Sequence, residues 1–333
     1  MIMMSFPLKL FLSLTILATE LGAFQTNGSH GWAGLNSRAN LRPREVQRGR
    51  CTEVDPTTIE RYERQFSLDR AHGLSSTFPN LQERTPDSPT RRAGLTKRQT
   101  LQNPIDVWFH VISADTTPEN GNVPLLQVID QIDALNLGFG PPGLRFALRN
   151  VTRTVNADWF NNGGPGTSQQ DAMKASLRQG GPAVLNIYSV NFSGTWSSLL
   201  GYSTFPQTYA SAPTDDGIVI HFASLPGGPL ASYNQGKTGV HETGHWVGLY
   251  HTFQGSCFDP GDYVADTQPE ATPSEGCMEG RATCVVGDVL EGEVDPIHNY
   301  MDYSPDACMY EFTPGQADRA RMQLMFYRGI AYH

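Results

Sequence analysis

An eleven-residue stretch of the chain carries three histidines and a glutamate at spacings that suit metal-assisted hydrolysis. It reads His241-Glu-Thr-Gly-His245-Trp-Val-Gly248-Leu-Tyr-His251, which is the pattern H-E-x-x-H-x-x-G-x-x-H. This pattern is typical of a three-histidine zinc site with a glutamate as general base. A buried helix that carries histidines by chance accounts for the residue types but not for the five fixed positions.

The spacing explains how these side chains reach one point. Residues four apart lie on the same face of a helix, so His241 and His245 can aim two imidazoles together. Glu242 follows beside that point, and Gly248 lets the chain leave the helix in a conformation that other residues adopt at a cost. The turn then brings back His251 as the third nitrogen. Three protein ligands leave one zinc position open for water, as in a catalytic site.

A methionine lies about fifty residues after the third histidine, in the segment Asn299-Tyr-Met301-Asp-Tyr303-Ser-Pro. Metzincins carry a methionine turn under the zinc site, whereas a methionine elsewhere is more often core filler. With the blocks H-E-T-G-H-W-V-G-L-Y-H-T-F and F-T-P-G-Q, this segment resembles the pappalysin branch of the metzincins, in particular the secreted fungal extracellular metalloproteinases. The resemblance covers roughly residues 100–330 and is densest over 236–316.

The resemblance implies an α/β fold with a metzincin-like zinc metalloprotease domain. Such a domain has a mixed twisted sheet, an active-site helix and an irregular, disulfide-stapled C-terminal half. It implies an endopeptidase that holds Zn²⁺ on His241, His245 and His251 and uses Glu242 as general base and then acid. Tyr303 either ligates the zinc, donates to the tetrahedral oxyanion, or is a packed aromatic residue.

Two other functions compete with proteolysis. A secreted metal-dependent binding or adhesion module would be expected to have lost the base, whereas Glu242 is intact. A zinc hydrolase that acts on another amide or ester stays open. We expect protein or peptide substrates, because a segment that keeps the enzyme silent during export makes most sense for a protease.

The N-terminal residues predict export. Residues 1–23 contain Lys9, an apolar run over 10–18 and a small residue at Ala23, and this run is too short to span a membrane. We therefore expect a cleaved signal peptide, a secreted extracellular protein and no membrane partner. Three N-x-S/T sequons are compatible with glycosylation on this route: Asn27, Asn150 and Asn191.

The charge changes sign along the chain. Residues 24–98 hold 13 Lys and Arg against 8 Asp and Glu, whereas residues 99–333 hold 10 against 24. The first part lacks apolar periodicity, so it is predicted to be a loosely folded pro-segment. It ends at Lys97-Arg98, a dibasic pair where we expect a processing protease to cut; the alternative is two adjacent surface bases. Residues 99–333 are the predicted catalytic domain. Opposite charges favour docking of the two, and the acidic domain argues against nucleic acid. We expect a monomer.

Four cysteines follow the histidine motif, namely Cys257, Cys277, Cys284 and Cys308. In a secreted domain they suggest two disulfides, and the sequence allows three pairings. The resemblance implies the interleaved pairs Cys257–Cys284 and Cys277–Cys308.

The fifth cysteine, Cys51, stands alone in the pro-segment. A thiolate is a good zinc ligand, so Cys51 could block the open zinc position until the pro-segment is removed. The alternatives are an unpaired cysteine and an intermolecular disulfide.

Acidic residues are concentrated between 259 and 306, where twelve Asp and Glu accompany one base, Arg281. Such a run is usually a solvated loop, but oxygen ligands in a loop are also what Ca²⁺ needs. The resemblance implies calcium near the active site, and Asp262 and Thr267 are the candidate ligands.

Hydrophobic periodicity predicts alternating strands and helices followed by loops over 251–313. Strands are predicted at 105–112, 144–155, 183–188 and 217–222. Helices are predicted at 124–137, 168–177, 236–249 and 314–326.

Overall fold

The computed structural model describes residues 54–77, 104–258, 260–284 and 294–331. The predicted signal peptide, Asn27, Cys51 and the pair Lys97-Arg98 lie outside the described residues. No helix in the described ranges has the length and hydropathy needed to cross a membrane.

A five-stranded mixed sheet forms the frame of the predicted catalytic domain. Its strands are β1 (Ile105–Ser113), β2 (Phe146–Val155), β3 (Val184–Val190), β4 (Gly201–Ser203) and β5 (Ile218–His221). Their order across the sheet is β2-β1-β3-β5-β4, and every neighbouring pair is parallel except β5 and the edge strand β4. The predicted α/β class and the four predicted strands are confirmed; β4 was not predicted.

Helices cover the sheet and carry the site. In chain order they are α1 (Pro56–Thr77), α2 (Leu125–Phe139), α3 (Ala157–Asn162), α4 (Ser168–Leu177), α5 (Lys237–Trp246) and α6 (Pro314–Arg328). Helix α2 buries Val128, Ile132, Leu135 and Phe139 in the same core as the sheet, because these positions share one helix face. All ten residues of α5 are buried.

Two of these elements correct the sequence-based expectations. The pro-segment was expected to be loosely folded, and this is wrong for residues 56–77, which form α1. The polar turn expected after β2 is instead the short helix α3, because Asn156 caps it by accepting hydrogen bonds from the amides of Asp158 and Trp159.

Between α5 and α6 the described chain contains no helix or extended strand, only an isolated bridge between Asn299 and Glu311. Two disulfides join parts of this region, Cys257–Cys284 and Cys277–Cys308. This is the interleaved pairing that the resemblance implies.

Candidate active site

Helix α5 ends in a turn that redirects the chain toward the histidines. The amide of Leu249 donates to Gly244 O and that of Gly248 donates to His245 O, both at 2.9 Å. This is the Schellman arrangement, whose left-handed residue is usually glycine. Gly248 has φ 96°, and a Cβ there would lie 2.6 Å from Cγ of Gln323.

The turn brings three imidazole nitrogens together. His251 Nε2 lies 3.2 Å from His241 Nε2 and 3.1 Å from His245 Nε2. All three residues are at most 4% exposed. The three ligand atoms lie close enough together to hold one metal ion.

Backbone carbonyls fix the orientation of two of these rings. His241 Nδ1 lies 2.7 Å from Tyr300 O, and His245 Nδ1 lies 2.8 Å from Leu249 O. A carbonyl can only accept, so each Nδ1 donates its proton and each Nε2 keeps its lone pair for a metal. Burial lowers the pKa of His245 to about 4, which keeps the imidazole neutral at pH 7.

The nitrogen separations suit zinc. Zinc–nitrogen bonds of about 2.0–2.1 Å in a tetrahedral site place the nitrogens about 3.4 Å apart. The separations from His251 Nε2, 3.1 and 3.2 Å, are close to that value. Three convergent imidazole nitrogens in a buried site therefore fit a zinc ion with one position left over.

Glu242 is 1% exposed and directly follows the first histidine. Its carboxylate lies against the edge strand β4: a Cβ on Gly201 would sit 2.8 Å from Glu242 Oε1 and 2.7 Å from its Cγ. Only glycine leaves this space to the carboxylate. The sequence gives no signal for Gly201, because the three-residue strand around it has no pattern of its own.

Met301 lies fully buried beneath α5. A Cβ on Gly244 would sit 2.3 Å from Met301 Sδ, so the helix backbone and the sulfur are in close approach. The side chain of Asn299 holds the turn by accepting from the Met301 amide at 2.9 Å. The sequence could have indicated this contact, because a glycine inside a helix, between two predicted ligands, usually has a packing reason.

Tyr303 packs at the same point. Its ring centroid is 5.0 Å from that of His251 and 5.8 Å from that of His241, and the residue is 4% exposed. The structure thus brings Tyr303 to the histidines.

Two buried side chains anchor the ends of α5, and neither was predicted. Asp306 Oδ2 accepts from the amides of Gln235 and Lys237, at 2.8 and 3.2 Å, at the N-terminal end. Arg319 Nε donates to Gly248 O at 2.8 Å at the other end. Both contacts are long-range in sequence, so no local pattern could reveal them.

The other predicted site residues within the described ranges make contacts of their own. Asp262 is 5% exposed and accepts from the Val264 amide at 3.0 Å. Asn150 is exposed on β2, whereas Asn191 donates to Asn161 Oδ1 at 3.1 Å.

Comparison with known proteins agrees with this geometry. Residues 184–325 match the family described as pregnancy-associated plasma protein-A. Extracellular metalloprotease 1 of Coccidioides posadasii is 46% identical over 224 residues, which are 66% of this chain and 76% of that protein. An extracellular metalloprotease of Podospora anserina is 36% identical over 302 residues, 89% of this chain and 96% of that protein.

Solved structures share the fold. Mature mirolysin of Tannerella forsythia in complex with a cleaved peptide is 26% identical with a TM-score of 0.56, over 71% of this chain and 100% of that one. A promirolysin mutant is 24% identical with a TM-score of 0.60, over 82% of this chain and 90% of that one.

The chain belongs to the pappalysin family of metzincin metalloproteases. It is a zinc metalloendopeptidase of the metzincin type, as predicted.

Proposed function

We propose that this protein is a secreted zinc endopeptidase, made as a zymogen, in which Glu242 is the general base and acid. The observation that carries the proposal is the convergence of three buried imidazoles, with His251 Nε2 3.1 and 3.2 Å from the other two Nε2 atoms, while Glu242 is buried on the same helix as His241 and His245. His241, His245 and His251 would hold the zinc, which supplies Lewis acidity toward water and the scissile carbonyl.

The proposed role of Glu242 is to move one proton. Its carboxylate takes the proton from the attacking water and passes it to the leaving amine as the peptide bond breaks. The Glu242 side chain is buried, and Gly201 lies next to its Oε1 atom. These neighbours restrict the positions that the carboxylate can take.

Glu242→Gln tests this role because it keeps the size of the side chain and removes the base. We expect peptidase activity to fall by about 10²-fold or more, while zinc content, measured by atomic absorption, stays the same. Glu119→Gln, at an exposed position, is the control and should keep full activity. Near wild-type cleavage by Glu242→Gln would contradict the assignment.

Zinc itself is tested by removal and return. We expect 1,10-phenanthroline to abolish cleavage of a peptide library and substoichiometric zinc to restore it. Cleavage that continues after metal removal would show that the three histidines do not act through a metal.

The hydroxyl of Tyr303 is proposed to donate a hydrogen bond to the oxyanion that forms on the substrate. Its position over the rings of His251 and His241 supports this role. Tyr303→Phe should lower kcat with little change in KM. An unchanged kcat would leave Tyr303 as a packed aromatic residue.

Residues 24–98 are proposed to be a pro-segment. Its Cys51 thiolate would keep the enzyme latent by occupying the open zinc position. One contact supports this: Val54 packs against the cluster that contains Phe205, whose ring centroid is 5.3 Å from that of His245. Cys51 is three residues before Val54 in the sequence. Unprocessed Cys51→Ala should be active; if it stays latent, the switch is wrong.

Calcium is proposed at Asp262 and Thr267. The buried Asp262 carboxyl lies beside the Thr267 hydroxyl, which lowers its pKa in part, but burial has the larger effect and raises that pKa to about 7. A cation would stabilise the ionised form. CaCl₂ should raise Tm relative to MgCl₂, an effect lost in Asp262→Asn but kept in the exposed control Asp318→Asn. Equal Tm in both salts would contradict the site.

Secretion and glycosylation are proposed from the sequence and from relatives named extracellular metalloproteases. Asn150 is the favoured acceptor, since it is exposed while the amide nitrogen of Asn191 is engaged. A glycosidase should shift the secreted protein on a gel, and Asn150→Gln should reduce that shift. The monomeric state is a prediction for size-exclusion chromatography.

A further inference from the structure

Helix α1 lies on a surface that borders the histidine site, since Phe205 of that surface packs against His245. Its inward residues are Ile59, Glu63 and Phe66, spaced four and three apart and each at most 8% exposed. They face a patch that we call the α1-docking surface, formed by Phe205, Tyr250, Arg319, Phe326 and Tyr327.

Apolar contacts hold both ends of this stripe. Ile59 is buried in one cluster with Phe205 and Tyr250. The ring of Phe66 meets Phe326 edge-on with centroids 5.8 Å apart. Buried aromatic anchors of this kind provide most of the binding energy at interfaces.

A buried ion pair lies between the two apolar contacts. Glu63 Oε1 lies 2.5 Å from Arg319 Nη2, Glu63 Oε2 lies 3.1 Å from Arg319 Nη1, and Tyr250 Oη donates to Glu63 Oε1 at 2.9 Å. The guanidinium also stacks over the Tyr250 ring at 4.9 Å. A two-point pair between carboxylate and guanidinium fixes the register of the helix, and loss of either partner leaves a buried charge.

None of these contacts depends on the covalent link between pro-segment and enzyme. The predicted cleavage pair Lys97-Arg98 lies twenty residues beyond the last residue of α1. Hydrolysis there removes a tether, which lowers the effective concentration of the helix, but it leaves each side chain of the stripe in place.

We propose that the α1-docking surface binds the pro-segment as a separate polypeptide after cleavage. Residues 24–98 then stay on the catalytic domain non-covalently, held by Glu63 and Phe66, and their release is a second step of activation. This inference rests on the proposed zymogen, but the helix contact itself is independent of the Cys51 thiol.

The test uses the full secreted chain with Cys51→Ala, which removes any thiolate bond, and Glu242→Ala, which prevents self-digestion. The protein is cut with a dibasic-specific processing protease. Native mass spectrometry over a dilution series then measures the dissociation constant of the two pieces. We expect a complex at micromolar concentration.

Two variants and a matched control decide which contacts hold it. Glu63→Gln and Phe66→Ala should each weaken the complex by at least about tenfold. Arg64→Gln removes a charge from the neighbouring, exposed position and should leave it unchanged. Complete separation of the parent on cutting at micromolar concentration, or equal constants for Glu63→Gln and Arg64→Gln, would overturn the proposal.

The outcome is separable from the proposed latency. If uncut Cys51→Ala, with Glu242 intact, is active while the cut pieces separate at once, the thiol switch stands and the docking proposal fails. If the pieces stay together while uncut Cys51→Ala is latent, the docking proposal stands without the switch.

Discussion

At the scale of single residues, two glycines shape the site by lacking a side chain. Gly244 lets the sulfur of Met301 lie against the helix that carries the histidines, and Gly201 leaves room for the carboxylate of Glu242. Neither glycine supplies a metal ligand or a group that transfers a proton. Both fix the positions of groups that are proposed to do so, and a small displacement of such a group lowers the rate of catalysis.

Gly201→Ala should therefore lower turnover without loss of metal. The added methyl would lie 2.7–2.8 Å from the Glu242 side chain, so the carboxylate must shift, and kcat should fall by about 10- to 100-fold. Ser203→Ala on the same strand is the control. Wild-type kcat in Gly201→Ala, with zinc content confirmed, would show that the carboxylate tolerates displacement.

A buried histidine makes stability depend on pH. Burial lowers the pKa of His110 to about 4, because the ring lies in the core between Thr152 and Asn186. Between about pH 6.5 and 4 the unfolded chain binds a proton at His110 that the folded protein excludes. The free energy of unfolding therefore loses on the order of 3 kcal/mol from this group as pH falls through that window.

His110→Gln isolates this contribution. We expect the variant to be less stable than the parent at pH 7 and the gap to narrow toward pH 4, as measured by urea unfolding in a Glu242→Ala background. Asp262 acts in the opposite direction, because its raised pKa lowers the free energy of unfolding as pH rises. This effect is present in parent and variant alike, so it cancels in the difference between their free energies of unfolding. A gap independent of pH would mean that His110 has the same pKa in the folded protein as in the unfolded chain.

At the scale of elements, α5 depends on contacts that arrive from far along the chain. Asp306 binds amides at its start and Arg319 binds Gly248 O at its end. The helix covers only residues 237–246, shorter than the predicted 236–249. Gly248 interrupts it because φ 96° is incompatible with a helix.

Gly248→Ala should weaken the metal site through this turn. The left-handed conformation alone costs about 1–2 kcal/mol with a Cβ, and the methyl also meets Gln323. We expect a lower Tm and weaker zinc binding by competition with a chelator, because His251 follows the turn. Gly280→Ala, also left-handed but with open space around it, serves as the control for backbone strain alone. Equal zinc affinity in both variants would contradict this role for the turn.

The sequence predicted elements whose pattern is local and repeated. The ends of strands β1, β2, β3 and β5 and of helices α2 and α4 lie within two residues of the predicted ones. Strand β4 is too short for a period. Helix α1 was not predicted, because the middle residue of its buried stripe is Glu63. A glutamate interrupts the hydrophobic pattern, and its burial is explained only by its partner Arg319, 256 residues away.

The same division applies to the site. The histidines, Glu242 and Met301 were predictable because their chemistry demands fixed residue types at fixed spacings. Gly201 and Asp306 were not, since their roles follow only from what the fold places beside them.

At the scale of the whole molecule, α1 turns the charge asymmetry of the sequence into a specific contact. Residues 24–98, the proposed pro-segment, are basic and residues 99–333 are acidic overall. The buried ion pair has the opposite polarity, with the acid Glu63 on α1 and the base Arg319 in the acidic part. General attraction can bring the two together, and the reversed pair then selects one register.

The two disulfides overlap: the first closes residues 257–284 and the second closes 277–308. Every peptide bond from 257 to 308 is thus bridged by at least one of them, which a sequential pairing would not achieve. A protease is surrounded by copies of itself, and exposed loops are the usual places for nicks. A single nick in this region leaves both halves covalently attached, so damage of this kind would be visible on a gel only after reduction.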